Sequence, residues 1–398
     1  MSTDEVVIVG AARTPFTRFD GALRDVSIPE LGSAAVRESV LRSGVSGDAV
    51  DEVAIGVNFP GADRSLARQI QLRAGIPEDR NAYTVDRACC SSLAAVSLVR
   101  RGIRLGEVTV GVAGGAENLG RVPYYLDMRW GNRLGDVTMT DQLVISCPHT
   151  HVPRAVQAAN EALDFGVERG EQDEWALRSH ERYGQALTRG YLADELFAVT
   201  ATTIDGTSVH ADRDEAYRPT VSAEKLAALG TVYGSATVTP GNAPGLSAGA
   251  SALVMTAAGT ARDRELRVVG QIVSMSRASG PAAKVASIPA LAARKALTAA
   301  ELTLDDLDLI EINEAFAAVP LVTTLELADR DRGRAEKLRA LTNVNGGAVA
   351  IGHPTGATAT RLLMTAAFEL RRRGGGIGLI TLCGGIGEAE AAVIRVDA

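Results

Sequence analysis

The feature that most constrains the fold is an order of parts that occurs twice. Near the N-terminus a helix pattern leads to "DAVDEVAIG", then a loop, Cys89, a second helix pattern and "EVTVGVAGGAE". Near the C-terminus a helix pattern leads to "DDLDLIEINEA", then a loop, His353, a helix pattern and "GIGLITLCGGIGE". Each run reads helix, strand, loop, reactive side chain, helix, strand, paired glycines. The letters are only weakly alike, but the order is shared, as in a duplicated supersecondary unit. Two such α/β halves packed together would bring Cys89 and His353, each at a helix start, toward one interface.

Strand-like runs cover 6–11, 50–56, 107–115, 250–258, 266–276, 307–313 and 376–385. Most are apolar without clean alternation, as expected of strands covered on both faces. Helical patterns cover 28–43, 174–187, 288–300 and 358–373. Residues 119–246 have a different texture, with more polar residues and Pro/Gly turns. They still hold a long amphipathic helix, so they read as an inserted cap and not a linker. The expected division is 1–118 with 247–265 as the first half, 119–246 as the cap, and 266–398 as the second half. A chain of 398 residues that is 46% hydrophobic supports a core of this size.

A net charge of -7 argues against nucleic acid as a partner. Four cysteines at this length do not make a disulfide framework, so reduced thiols are expected. The opening "MSTDEVVIVGAARTPF" lacks the basic and apolar regions of a leader peptide. No apolar run reaches the ~20 residues of a membrane span. A cytoplasmic protein without membrane contact is the expectation.

The chemistry concentrates in four places. In "VDRACCSSLAAV", Cys89 stands before a helix, where free N–H groups and the positive end of the dipole favour thiolate. A free cysteine is also at home as a small buried hydrophobe. Cys90 reads as packing, because adjacent side chains cannot both face one pocket. In "NVNGGAVAIGHPTGAT", glycines surround His353, one of five histidines. Such a loop before a helix suits a base that activates a thiol, although a structural role is open too. In "LCGGIGEAE", Cys383 ends a strand and the glycines after it free backbone N–H groups for an oxyanion hole, or form a simple turn. In "EINEAFAAV", Asn313 and Glu314 read in isolation as a helix cap.

Together these four resemble the thiolase family of the thiolase/ketosynthase superfamily, over essentially the whole chain. "CCSS" matches the cysteine–small–serine pattern with Cys89 in the nucleophile position. Asn313-Glu314-Ala315-Phe316, Gly352-His353-Pro354 and Cys383-Gly384-Gly385 match the other motifs in order. The resemblance implies a five-layer αβαβα fold of two similar halves with an inserted cap. It implies an acyl-CoA C-acyltransferase that makes or cleaves 3-oxoacyl-CoA. His353 would deprotonate Cys89, which is acylated; Cys383 would move the α-proton of the second acyl-CoA. One oxyanion hole would come from the N–H groups of Cys89 and Gly385, the other from His353 with a water held by Asn313. Ala315 and Phe316 would face substrate, and Arg218 and Lys225 the CoA nucleotide. CoA and acyl-CoA are substrates, no further cofactor is implied, and the family suggests a homodimer or homotetramer.

The substrate-facing parts depart from the family pattern. Pro244 stands where a serine near the pantetheine is common, and Ala248-Gly249 replaces Asp-Gly. The cap motif Met-Gly-x-Thr-Ala-Glu-Asn is reduced to "PRAVQAAN", with Asn160 retained. Ala283 stands at a methionine position of short-chain relatives, which predicts room for acyl groups bulkier than acetyl. "CPHTH" offers Cys147, His149 and His151 but no metal-site spacing and no fourth ligand, so no metal is expected. A decarboxylating ketosynthase would not carry Cys383. A non-catalytic acyl-CoA-binding relative remains as an alternative, though it has little reason to keep all four motifs.

Overall fold

The structure, a computed structural model, describes residues 5–144 and 147–397. The acidic first residues on which the leader reading partly rests, and the outer limits of the expected halves, lie outside these.

The first half begins with β1 (Val6–Arg13) and α1 (Ile28–Ser43). Helix α1 starts where Ser27 accepts from the Glu30 N–H and ends at Gly44, in the left-handed region at φ 71°. Next come β2 (Glu52–Gly56), β3 (Asn81–Val85), α2 (Ser91–Leu105) and β4 (Val110–Asn118). Residues 119–246 carry α3 (Arg154–Asp164), α4 (Arg169–Thr188) and two short two-stranded ladders. Strand β5 (Ser247–Ala257) then returns to the first sheet.

The second half holds β6 (Gly270–Ser279), α5 (Ile288–Ala299), β7 (Leu309–Ile312), α6 (Thr358–Arg372), β8 (Gly376–Cys383) and β9 (Glu388–Val396). Its strand order β6-β9-β8-β7 repeats the order β1-β5-β4-β2 of the first half. The directions repeat as well. β5 is antiparallel to β1 and β4, and β2 is parallel to β4. β9 is antiparallel to β6 and β8, and β7 is parallel to β8. Even the edge is echoed: β3 runs parallel to β2, and Thr342 makes an isolated parallel bridge to Ile310. The two sheets meet along β1 and β6, through Val6–Ile272, Val7–Gln271 and Ile8–Gly270.

Five layers follow from where the apolar faces go. Helices α2 and α6 lie between the sheets, with Leu93, Val96, Leu362 and Leu363 in one core with Ile8, Ala54, Ile380 and Ile394. Helix α1 covers the outer face of the first sheet, α5 that of the second. This architecture sets Cys89 and His353 in matching places, each just ahead of a helix of the middle layer. Gly115 of β4 makes the close approach possible, since a Cβ there would overlap the Gly356 carbonyl oxygen.

Strands β3 and β9 were not foreseen. β3 is a mostly exposed edge, and β9 opens with Glu-Ala alternation that hides a buried strand. The cap holds α3 as well as the expected long helix, which spans Arg169–Thr188.

Candidate active site

Cys89 is half-buried and follows Ala88, whose φ of 48° lies in the left-handed region. That turn lifts the thiol off the helix end, two residues ahead of Ser91. The Ser91 hydroxyl locks the turn, donating to the Ala88 carbonyl and accepting from the Arg87 N–H. Cys90 points the other way into the core, fully buried, its thiol toward the Leu382 carbonyl.

His353 reaches Cys89 from the opposite half, with Nε2 3.3 Å from Sγ. Its Nδ1 lies 2.6 Å from the Thr358 hydroxyl, and that hydroxyl donates to the Pro354 carbonyl at 3.0 Å. With the hydroxyl proton on Pro354, Thr358 accepts from Nδ1–H. This arrangement fits the tautomer in which Nε2 carries the lone pair and faces the thiol, with the donor Nδ2 of Asn313 on the same nitrogen. Burial, with a smaller contribution from Arg361, lowers the His353 pKa to about 3. The backbone of His353 is held by its own N–H donating to Ser247 Oγ at 3.1 Å.

Glu117, buried at the end of β4, holds the histidine loop against the first half. It accepts from the Asn58, Phe59 and Gly356 N–H groups and from the Thr355 hydroxyl, at 2.8–3.0 Å. Glu314 does the same for the cap. It accepts from Trp175 Nε1, Ser179 Oγ, Asn343 Nδ2 and the Val349 N–H, at 2.8–2.9 Å. It joins α4 to the second half, so it is more than a helix cap.

The expectation of a resting thiolate is not met. Burial pushes the Cys89 thiol well up, the neighbouring Cys383 and Glu117 add to the rise, and Arg154 only partly opposes it. Desolvation outweighs the end of a helix that begins two residues further on. Cys383 is buried and its pKa is pushed up to about 11, mainly by burial. Both thiols and the imidazole are thus neutral at rest.

Asn313 is fully buried, with Nδ2 3.3 Å from His353 Nε2 and with Oδ1 unpartnered among the described residues. Gly385 sits at φ 88°, and neither its N–H nor that of Cys89 donates to a carbonyl among the described residues. Ala315, Phe316, Arg218 and His353 line one cavity of about 400 Å³ with mainly apolar walls. Arg218 also lines an adjoining cavity of about 230 Å³ with Arg18 and His180. Lys225 does not join them; it is exposed, and its Nζ donates to the Thr220 carbonyl at 2.6 Å. Ala283 is exposed and outside the cavity, so the argument for bulkier acyl groups from that position falls. Cys147 is buried while His149 and His151 are exposed, and no cluster of metal-ligating side chains forms among the described residues.

Two family models match in tandem: the thiolase N-terminal domain over residues 6–259 and the thiolase C-terminal domain over 266–396. This chain belongs to the thiolase family. It is 36% identical over 403 residues to the acetyl-CoA acetyltransferase of Syntrophomonas wolfei, covering 99% of each chain. It superposes on the crystal structure of human mitochondrial 3-ketoacyl-CoA thiolase with a TM-score of 0.92 and 33% identity, covering 99% of this chain and 100% of that one. For the Bacillus anthracis acetyl-CoA acetyltransferase the TM-score is 0.93 and the identity 37%, over 98% of each chain. The thiolase is an acyltransferase that makes or cleaves 3-oxoacyl-CoA through an acyl-cysteine.

Sequence reasoning passed over Thr358, Glu117 and Arg154. The first two lay in plain view next to recognised motifs. A threonine at a helix start and a glutamate after paired glycines have local readings that hid their long-range partners.

Proposed function

We propose that Cys89 is the acylated thiol, His353 its base and Cys383 the acid/base of carbon–carbon bond making and breaking. The observation that carries this is the 3.3 Å approach of Cys89 Sγ to a His353 Nε2 left free to accept by Thr358. A neutral thiol beside a neutral imidazole transfers its proton as it attacks, so no standing thiolate is needed. The thiolate attacks an acyl-CoA and leaves the acyl group on Sγ; His353 keeps the Cys89 proton, and the departing CoA sulfur takes the proton of Cys383. The N–H groups of Cys89 and Gly385 then face the developing oxyanion.

In the second stage the Cys383 thiolate left by that transfer takes a proton from the α-carbon of a second acyl-CoA. The resulting carbanion attacks the acyl-cysteine, and thiolysis is the reverse. The oxyanion of this stage is held by His353 Nε2, which now carries the Cys89 proton, with a water on Asn313, whose unpartnered Oδ1 suits that task. Ala315 and Phe316 flank the acyl end of the cavity. Arg218, at the junction of the two cavities, meets the CoA phosphates; Lys225 is left out.

CoA and acyl-CoA are the only small molecules this chemistry requires. The functional division follows the halves, 1–118 with 247–265 against 266–398, with 119–246 as a cap, in a cytoplasmic homodimer or homotetramer. Among the described residues no helix is long and apolar enough to cross a membrane. Mass spectrometry after brief exposure to an acyl-CoA tests the assignment. The adduct is expected on Cys89; an adduct on Cys90 contradicts it.

A further inference from the structure

Arg154 is a cation that acts on both Cys89 and Cys383, and the thiolase reaction does not call for it. It opens α3, is half-buried, and lines the same cavity as His353, Ala315 and Phe316. Its guanidinium lies against the glycine loop: a Cβ added at Gly385 would stand 3.5 Å from Nη2 and 3.8 Å from Cζ. The same point is 3.8 Å from the Ala88 Cβ, so the guanidinium stands beside the amides proposed for the oxyanion hole.

The side chain is braced. Nη1 donates to Gln157 Oε1 at 3.0 Å, and the buried Gln157 donates from Nε2 to Thr150 Oγ1 at 2.8 Å. Among the described residues it makes no ion pair, whereas Arg13, Arg87, Arg169 and Arg361 each hold a carboxylate. A braced guanidinium without a counter-charge, in a cavity also lined by Leu119, Leu143 and Pro153, favours an anion once substrate displaces water.

Counting back from Asn160, Arg154 occupies the place of the methionine that opens the cap motif of the family. The reaction proceeds with an apolar side chain there, so a charge at this point serves whatever differs between relatives. That is the acyl group. The CoA phosphates are served elsewhere, by Arg218 at the junction of the two cavities.

We propose that Arg154 receives a carboxylate at the far end of the acyl chain, and that the thiolase acts on CoA thioesters of short dicarboxylic acids. This rests on the thiolase reading above and names its substrate class. In thiolysis, Cys89 Sγ bonds to C3 of an ω-carboxylated 3-oxoacyl-CoA while His353 takes the thiol proton. The C2–C3 bond breaks, its electron pair takes a proton from Cys383, and acetyl-CoA leaves. The dicarboxylyl group stays on Cys89 with its free carboxylate on Arg154. The thiol of CoA then displaces Cys89, and its proton returns the pair to the starting state. The chain is short because the guanidinium stands beside the reacting centre. A reaction that yields a dicarboxylic acid thioester oxidised at C3 must supply this substrate.

The test compares kcat/KM for thiolysis of 3-oxoadipyl-CoA and of its uncharged counterpart 3-oxohexanoyl-CoA, in wild type, Arg154→Met and Arg154→Lys. Wild type is expected to favour the carboxylate by about 10²-fold or more, as loss of a desolvated charge partner implies. Arg154→Met should bring the ratio to near one or below, and Arg154→Lys should keep part of it. A wild-type ratio near one overturns the proposal. So does an Arg154→Met variant that slows both substrates equally, which would make the cation a servant of the oxyanion. Cleavage of neither also overturns the proposal, and only if acetoacetyl-CoA is left intact as well does the thiolase reading fall.

Discussion

The Thr358 hydroxyl sits 2.6 Å from Nδ1 of His353 and spends its proton on the Pro354 carbonyl. One threonine thereby decides which imidazole nitrogen can take a proton from Cys89. Thr358→Val removes the acceptor at nearly constant shape. The buried Nδ1–H is then unpaired, or the proton moves to Nε2 and blocks the base. The rate of acyl-enzyme formation should fall about 10- to 100-fold, the scale of one lost buried hydrogen bond of ~1–3 kcal/mol. Thr358→Ser should restore most of it. A wild-type rate in the valine variant would remove Thr358 from the account.

The neutral resting pair makes a pH prediction. His353 is lowered to about 3 and Cys383 raised to about 11. The rate of Cys89 acylation should therefore show no inflection near pH 6.5, the ordinary histidine value. A stopped-flow profile from pH 5 to 9 with a step near 6.5 would contradict this. Stability follows the same group. Below pH 6.5 the unfolded chain binds a proton that folded His353 refuses until about pH 3, so stability falls as pH drops through that window. His180, lowered to about 4 by burial and by Arg218, adds to the fall over its own narrower window.

Glu314, in the turn after β7, collects four buried donors, Trp175 and Ser179 of α4 and Asn343 and Val349 of the run ahead of His353. Glu314→Ala leaves all four without their acceptor, at ~1–3 kcal/mol for each group that stays unsatisfied. A loss of about 3 kcal/mol or more, with faster trypsin cleavage within 169–188, is expected. An unchanged thermal midpoint and cleavage rate would show that the cap is held by other contacts.

Much of this was legible in the sequence for a physical reason. The repeated order of helix, strand and reactive side chain reflects the repeated strand order of the two sheets, and strands buried on both faces announce themselves as apolar runs. Strand β3 escaped because its side chains face solvent, and β9 because glutamates interrupt its start. Cys89, His353 and Cys383 were visible because the chemistry needs rare residue types at glycine-rich turns. Arg154 was not, because its meaning depends on Gly385, more than two hundred residues away. The thiolate expected at Cys89 failed for a related reason: helix position can be read locally, but burial by the other half cannot.

The central claim is the division of labour between Cys89, His353 and Cys383, and rapid-quench measurement of the acyl-enzyme tests it most directly. With a simple acyl-CoA, Cys383→Ala should still release a burst of CoA and accumulate acyl-Cys89. Its full turnover should fall by ~10²–10⁴-fold, the range for a positioned acid/base. His353→Ala should suppress the burst itself. If Cys383→Ala abolishes the burst while His353→Ala leaves it intact, the roles are reversed and the mechanism is wrong.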